Sequence, residues 1–169
     1  MCDLNTYRSL AFCNKWLCKR LLHPDRKKQI IKHFTVVHRF LDHTERRFSD
    51  KLHRDDGPAI EWVHGTREWY QHGKRHRDDG PALECANGDR EWFQHGQRHR
   101  DDGPAVEYVN GYRAWFQHGE RHRDDGPAIE RVNGDREWFQ HGKLHREDGP
   151  AIEYTNGYQA WYQHDKRIK

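Results

Sequence analysis

Histidine, aspartate and arginine are the residues of this sequence with the means to do chemistry, and they recur together. The chain has 15 histidines. His72 and His76, His95 and His99, His118 and His122, and His141 and His145 share a His-x3-His spacing seen in metal sites. On a helix that spacing puts both rings on one face, but here each pair spans a glycine and a turn. Equivalent histidines on neighbouring hairpins would lie about 10 Å apart, two strand spacings, too far to share one zinc ion. Cys13, Cys18 and His23 diverge as well, because five residues rotate a helix by about 500°. No metal and no cofactor are expected, and hydrogen bonding within the turns is the expected role of the histidines. Asp, His and Arg together also invite hydrolysis. An active site, however, is one pre-organised constellation, and this one is written five times. The reading is a non-enzymatic protein whose repeated residues determine its fold. Arg54 near Asp56, and each equivalent pair, is expected to form a ladder of ion pairs and turn caps.

The elements that position these residues follow from a repeat. His-Arg-Asp-Asp-Gly-Pro-Ala stands at 53, 76, 99 and 122, and His-Arg-Glu-Asp-Gly-Pro-Ala at 145, a period of 23 without insertion. Each unit continues with an aliphatic residue (Ile60, Leu83, Val106, Ile129, Ile152) and Glu, and ends in an aromatic pair followed by Gln-His. Asn-Gly recurs at 87, 110, 133 and 156, with His64-Gly65 in the first unit. Asn-Gly between β-prone runs predicts a two-residue type I′ hairpin turn. That turn sets Val109 opposite Tyr112, Tyr108 opposite Arg113, Glu107 opposite Ala114 and Val106 opposite Trp115. Alternation then places Pro104, Val106, Tyr108, Arg113, Trp115 and Gln117 on the predicted buried face, with Arg113 over Tyr108. The other face varies in a two-unit pattern. Asp89, Glu91, Asp135 and Glu137 in units two and four alternate with Tyr112, Ala114, Tyr158 and Ala160 in units three and five. With Glu84 and Glu130 opposite, like charges meet across strands and want water or a basic partner. Glu84, Asp89, Glu91, Tyr112, Glu130, Asp135, Glu137 and Tyr158 are therefore the candidate binding surface. The alternative is duplication of a two-repeat block without functional meaning.

Composition agrees with a thin architecture. Only 33% of the chain is hydrophobic and 34% is charged, yet Trp, Tyr and Phe occur seven times each. Rings at fixed intervals can build a core one layer thick. Residues 1–52 carry a net +7 and residues 53–169 a net −4, so the two parts are expected to have different neighbours. In the head, Leu4, Tyr7, Leu10, Leu17 and Leu21 have helical spacing from Asn5 to Leu22. Ile30, Phe34, Val37 and Leu41 mark one face of a second helix. Glu45 to Lys51 reads as a degenerate half-repeat. Arg26, Lys27, Lys28 and Lys32 form a basic stretch, a candidate contact for nucleic acid or an acidic partner, or else a solvated helix face. Lys15, Lys19 and Arg20 interrupt the apolar run near the start, so no membrane span is expected. Irregularly spaced cysteines predict a soluble protein of a reducing, cytoplasmic compartment.

The repeat resembles the MORN superfamily over residues 53–167. The period of 23, Trp69 followed by Gly73-Lys74-Arg75-His76, and the Asn-Gly turn carry the resemblance. It is closest to the Gly-Lys-x-His-Arg-x-Asp-Gly-Pro-Ala variety found in phages and large DNA viruses. Arg-Glu-Trp or Arg-Ala-Trp stands where Tyr-x-Gly-x-Trp is usual, and Asp-Asp-Gly-Pro-Ala replaces the short Gly-x-Gly. The resemblance implies a mainly β protein, an elongated, curved MORN-like sheet of tandem antiparallel hairpins. We expect an N-terminal α-hairpin to cap it, with a head over 1–52 and five repeats over 53–169. It also implies protein-interaction or membrane-scaffold roles. The expected function is a scaffold that binds another protein, as a virion component or assembly factor. Alternatives are a viral inhibitor of a host defence enzyme and nucleic-acid binding through the head.

Overall fold

The structure is a computed structural model that describes residues 35–169, and these are β-strands and turns without a helix. The helix expected over Asn5–Leu22, the first part of the second helix and the basic residues Arg26, Lys27, Lys28 and Lys32 lie outside the described residues. Two compact units divide at Lys74 and Arg75.

In the first unit, β1 (Thr35–Arg39) and β2 (His43–Phe48) pair antiparallel, Thr35 opposite Phe48 and Arg39 opposite Thr44. Residues 35–41 are thus not the end of the second predicted helix. The β-branched run Thr35-Val36-Val37 is stiff at χ1 and suits a strand, and Leu41, assigned to the buried helix stripe, is fully exposed. β2 also pairs with β3 (Lys51–Leu52) and β4 (Ile60–Trp62), and β4 pairs with β5 (Arg67–Glu68). Ser49 and Asp50, at φ 50° and 63°, make the turn between β2 and β3. They sit 23 residues before His72 and Gly73, which have the same left-handed geometry.

The second unit holds an antiparallel sheet of two-residue strands in chain order: Leu83–Glu84, Arg90–Glu91, Val106–Glu107, Arg113–Ala114, Ile129–Glu130, Arg136–Glu137, Ile152–Glu153 and Gln159–Ala160. Four short side hairpins accompany it, such as Phe93–Gln94 with Gln97–Arg98 and Phe139–Gln140 with Lys143–Leu144. The period of 23 thus encodes two hairpins, one in the main sheet and one beside it.

The register differs from the predicted one by a residue. Val106 pairs with Ala114 and Glu107 with Arg113. The Tyr108 N–H donates to the Tyr112 carbonyl, and the Gly111 N–H to that of Tyr108. The loop is therefore Val109-Asn110-Gly111, a turn closed by a glycine at φ 96°, as in three-residue hairpins that end in a glycine bulge. A slip of one residue exchanges the faces. Val106 and Ala114 are buried together, Arg113 is exposed, and Trp115 is half-buried and is not the strand partner of Val106. The two-residue turn belongs instead to His-Gly. His95 and Gly96, at φ 53° and 86°, join Gln94 to Gln97.

One face of the main sheet is the core. Val106, Ala114, Ala128, Ile129 and Phe139 form its cluster, with Tyr108, Trp115 and Leu144 packed against it. Ala82, Ala105, Ala128 and Ala151 are fully buried, one per repeat. The other face is a charge ladder: Arg113 lies between Glu107 and Glu130, and Arg136 between Glu130 and Glu153. Opposite charges on paired positions favour this register over its neighbours.

The loop tips stack as well. A Cβ on Gly88, at φ 96°, would lie 2.8 Å from Val109 Cγ1, whereas on Gly111 the nearest atom is Val132 Cγ2 at 4.0 Å. Gly88→Ala is expected to lose about 1–3 kcal/mol through backbone strain and this clash. Gly111→Ala should lose less, since it meets the strain alone. Urea denaturation of both variants measures the difference.

Candidate functional site: clefts between repeats

The first residues of each repeat fold into one network. The buried histidine that opens the unit accepts, on Nδ1, the backbone N–H of the turn histidine 19 residues later. These bonds are His72 to His53 at 3.0 Å, His95 to His76 and His118 to His99 at 3.1 Å, His141 to His122 at 3.2 Å, and His164 to His145 at 3.3 Å. The two rings lie 4.3–4.6 Å apart. Since Nδ1 is an acceptor, Nε2 carries the hydrogen and donates to the loop carboxylate, for example Asp101 at 3.1 Å. The histidines of the expected His-x3-His pairs thus belong to different hydrogen bonds. Among the described residues no group of three His, Cys, Asp or Glu could hold a metal ion.

The following arginine is held from four sides. Arg100 Nε donates to Asp102 at 2.9 Å, and Nη1 donates to the Pro104 carbonyl at 3.2 Å and to Glu107 at 2.9 Å. Its guanidinium lies 4.0 Å over the Trp92 ring, and Arg123 and Arg146 lie likewise over Trp115 and Trp138. The loop glycine leaves room for this seat, since a Cβ on Gly103 would lie 3.0 Å from Arg100 Cζ. The expected ladder of ion pairs is therefore present at Arg54–Asp56, Arg77–Asp79, Arg100–Asp102, Arg123–Asp125 and Arg146–Asp148. The cation–π contact falls on Trp92 and its equivalents, where sequence reasoning had placed Arg113 on Tyr108.

Hydrogen bonding from these arginines holds the carboxyls of Asp56, Asp79, Asp102, Asp125 and Asp148 below the ordinary value of 3.8. A carboxylate whose folded-state value is depressed adds stability above its unfolded value, and loses it as pH falls through the folded one. The denaturant midpoint should therefore decline below about pH 3.8 through this contribution, more steeply for the natural chain than for Asp125→Asn. Urea titrations between pH 6 and pH 2.5 measure both slopes.

The residues expected to form an acidic and aromatic binding face lie in separate internal contacts. Glu84 and Glu130 are bound by Arg77 and Arg123 at 3.0 and 3.2 Å. Glu91 is buried and accepts from Arg98 at 2.9 Å and from the Tyr108 hydroxyl of the next unit at 3.0 Å. Glu137 is buried with Arg131 at 2.6 Å and Tyr154 at 3.2 Å. Burial, then Glu91, raises the Tyr108 hydroxyl above its ordinary value, which keeps it a donor. Asp89 and Asp135 accept the backbone N–H groups of Val109 and Thr155, each at 2.8 Å. Tyr112 packs against the core, and Tyr158 is exposed. The two-unit pattern is thus a bonding scheme. Units three and five have Ala114 and Ala160 in place of Glu, and their tyrosines use the glutamate of the preceding unit.

Two clefts lie between successive Asp-Asp-Gly loops. One cleft of about 570 Å³ is lined by Asp78, Asp79, Trp92, Gln94, Asp101 and Asp102, among others. A second, of about 470 Å³, has the same lining one repeat later at Asp101, Asp102, Trp115, Gln117, Asp124 and Asp125. The sequence reading places Asp79, Asp102 and Asp125 in ion pairs and turn caps and gives Asp78, Asp101 and Asp124 no separate role. Their signal was the doubled acid in every unit, of which only the second partners the arginine. No protein-family model matches the chain, and no curated protein matches it. No helix among the described residues is long and apolar enough to cross a membrane.

Proposed function

We propose that this chain is a non-enzymatic scaffold that binds another protein along its repeat array. The observation that carries this reading is the fate of the reactive side chains. The histidine and arginine of every unit are committed to the same internal bonds, and a surface of like clefts is what repetition leaves. A residue that serves a turn five times over is a fold determinant, whereas a feature repeated at a constant step suits an extended partner. The resemblance of the repeat to those of phage and large DNA-virus proteins extends the proposal to a viral structural or assembly component. The test uses the full chain as bait and hydrogen exchange to map the captured partner. Slowed exchange across residues 76–160 is the expected result. Protection absent from those residues would refute the reading.

A further inference from the structure

We infer that the clefts receive an extended segment of the partner that is rich in lysine or arginine, with a cation at every third residue. This inference rests on the scaffold reading and specifies what the scaffold takes. Its basis is the clefts' lining, charge and step.

Each cleft is an open surface groove of about 570 or 470 Å³. The first is walled by the loops Asp78-Asp79-Gly80 and Asp101-Asp102, and its floor has the Trp92 ring and the Gln94 amide. Its lining contains four aspartates against two arginines, Arg77 and Arg100. Both arginines are already held by internal carboxylates. The aspartates are only partly used. Asp78 and Asp101 each have one contact, to the Nε2 of His76 and His99, and their side chains are 80% exposed. Asp79 and Asp102 each take one arginine Nε–H and are 84% and 83% exposed. A carboxylate can accept about four hydrogen bonds, so every cleft retains acceptors for a cation. Beside them the Trp92 indole already carries the Arg100 guanidinium at 4.0 Å, so the cleft offers an incoming cation its aspartates and the Gln94 amide.

The step decides the spacing. Successive clefts are one repeat apart, which is two strands of the main sheet, or about 10 Å. A polyproline II segment rises about 3.1 Å per residue with three residues per turn, so every third side chain returns to the same face after about 9.3 Å. Cations at that period meet successive clefts together. At a period of two or four, one chain cannot engage neighbouring clefts in register. Simultaneous engagement multiplies affinity, and the gain vanishes when geometry forbids it.

The experiment compares three fluorescent peptides of equal charge on the full chain: five Pro-Pro-Lys triplets, five Pro-Lys pairs and five Pro-Pro-Pro-Lys quartets. The triplet peptide is expected to bind at least about tenfold more tightly and to weaken as salt rises. The double variant Asp78→Asn, Asp101→Asn should lose that preference, while Glu120→Gln, at an exposed strand position of a side hairpin, should keep it. Should the double variant not fold, the comparison of spacings on the unchanged chain decides alone. Equal affinity for the three peptides, or no binding, overturns the inference. If the full chain still captures a partner across residues 76–160 in that case, the scaffold reading stands without it.

Discussion

Phe139→Ala is expected to destabilise the chain by about 3–5 kcal/mol, the usual loss for an aromatic ring removed from a closed core. Phe139 is 7% exposed and belongs to the central cluster with Ile129 and Val106. Its ring also lies 5.3 Å from the Arg121 guanidinium. Leu144 pairs with it across the side hairpin and packs against the same cluster. Phe116 occupies the same place one repeat earlier but is only half-buried. Phe116→Ala should therefore lose distinctly less. Equal losses from the two variants in guanidinium denaturation would show that burial does not rank these positions.

The second large effect is expected at Arg123. It stacks 4.0 Å over Trp115 and bonds Asp125, the Pro127 carbonyl and Glu130. Arg123→Ala removes all four contacts and should lose about 2–3 kcal/mol. Its side chain is 22% exposed, so solvent screens the ion pairs and the stack with its hydrogen bonds supplies most of the loss. Arg123→Lys keeps the charge but has no planar fork to lie on the indole and reach two acceptors in different directions. It should recover less than half of the deficit. Nearly full recovery by lysine would mean that charge, and not shape, matters here.

Much of this fold was legible because the repeat announces itself. The period, the hairpins and the Arg–Asp pairs follow from residues that recur without a gap. The register was less legible for a specific reason. Asn-Gly suits both a two-residue turn and the glycine end of a three-residue one, and the flanking Val109 is apolar enough to be read as strand. A two-residue loop would set Trp115 opposite Val106 and gather Glu84, Asp89 and Glu91 into one patch. In the structure Glu91 is opposite Leu83 and Glu84 is opposite Arg90. The role of the turn histidine was also hidden. Its contribution is a backbone N–H given to a ring 19 residues upstream, a contact that side-chain spacing does not encode. The strand at Thr35–Arg39 competed with a helical pattern in Phe34, Val37 and Leu41, and the availability of β2 as a partner decided between them.

The bonds from Tyr108 to Glu91 and from Tyr154 to Glu137 bear on how such a gene can change length. Excising residues 99–121 alone would bring Arg131 of the following unit to Glu91 where Tyr108 had been. Excising 99–144 would bring Tyr154 there and restore the original partnership. Single repeats are the step of its architecture, but pairs of repeats are the step that keeps a tyrosine on Glu91; removal of one repeat would give that glutamate an arginine, the residue type that already bonds Glu137.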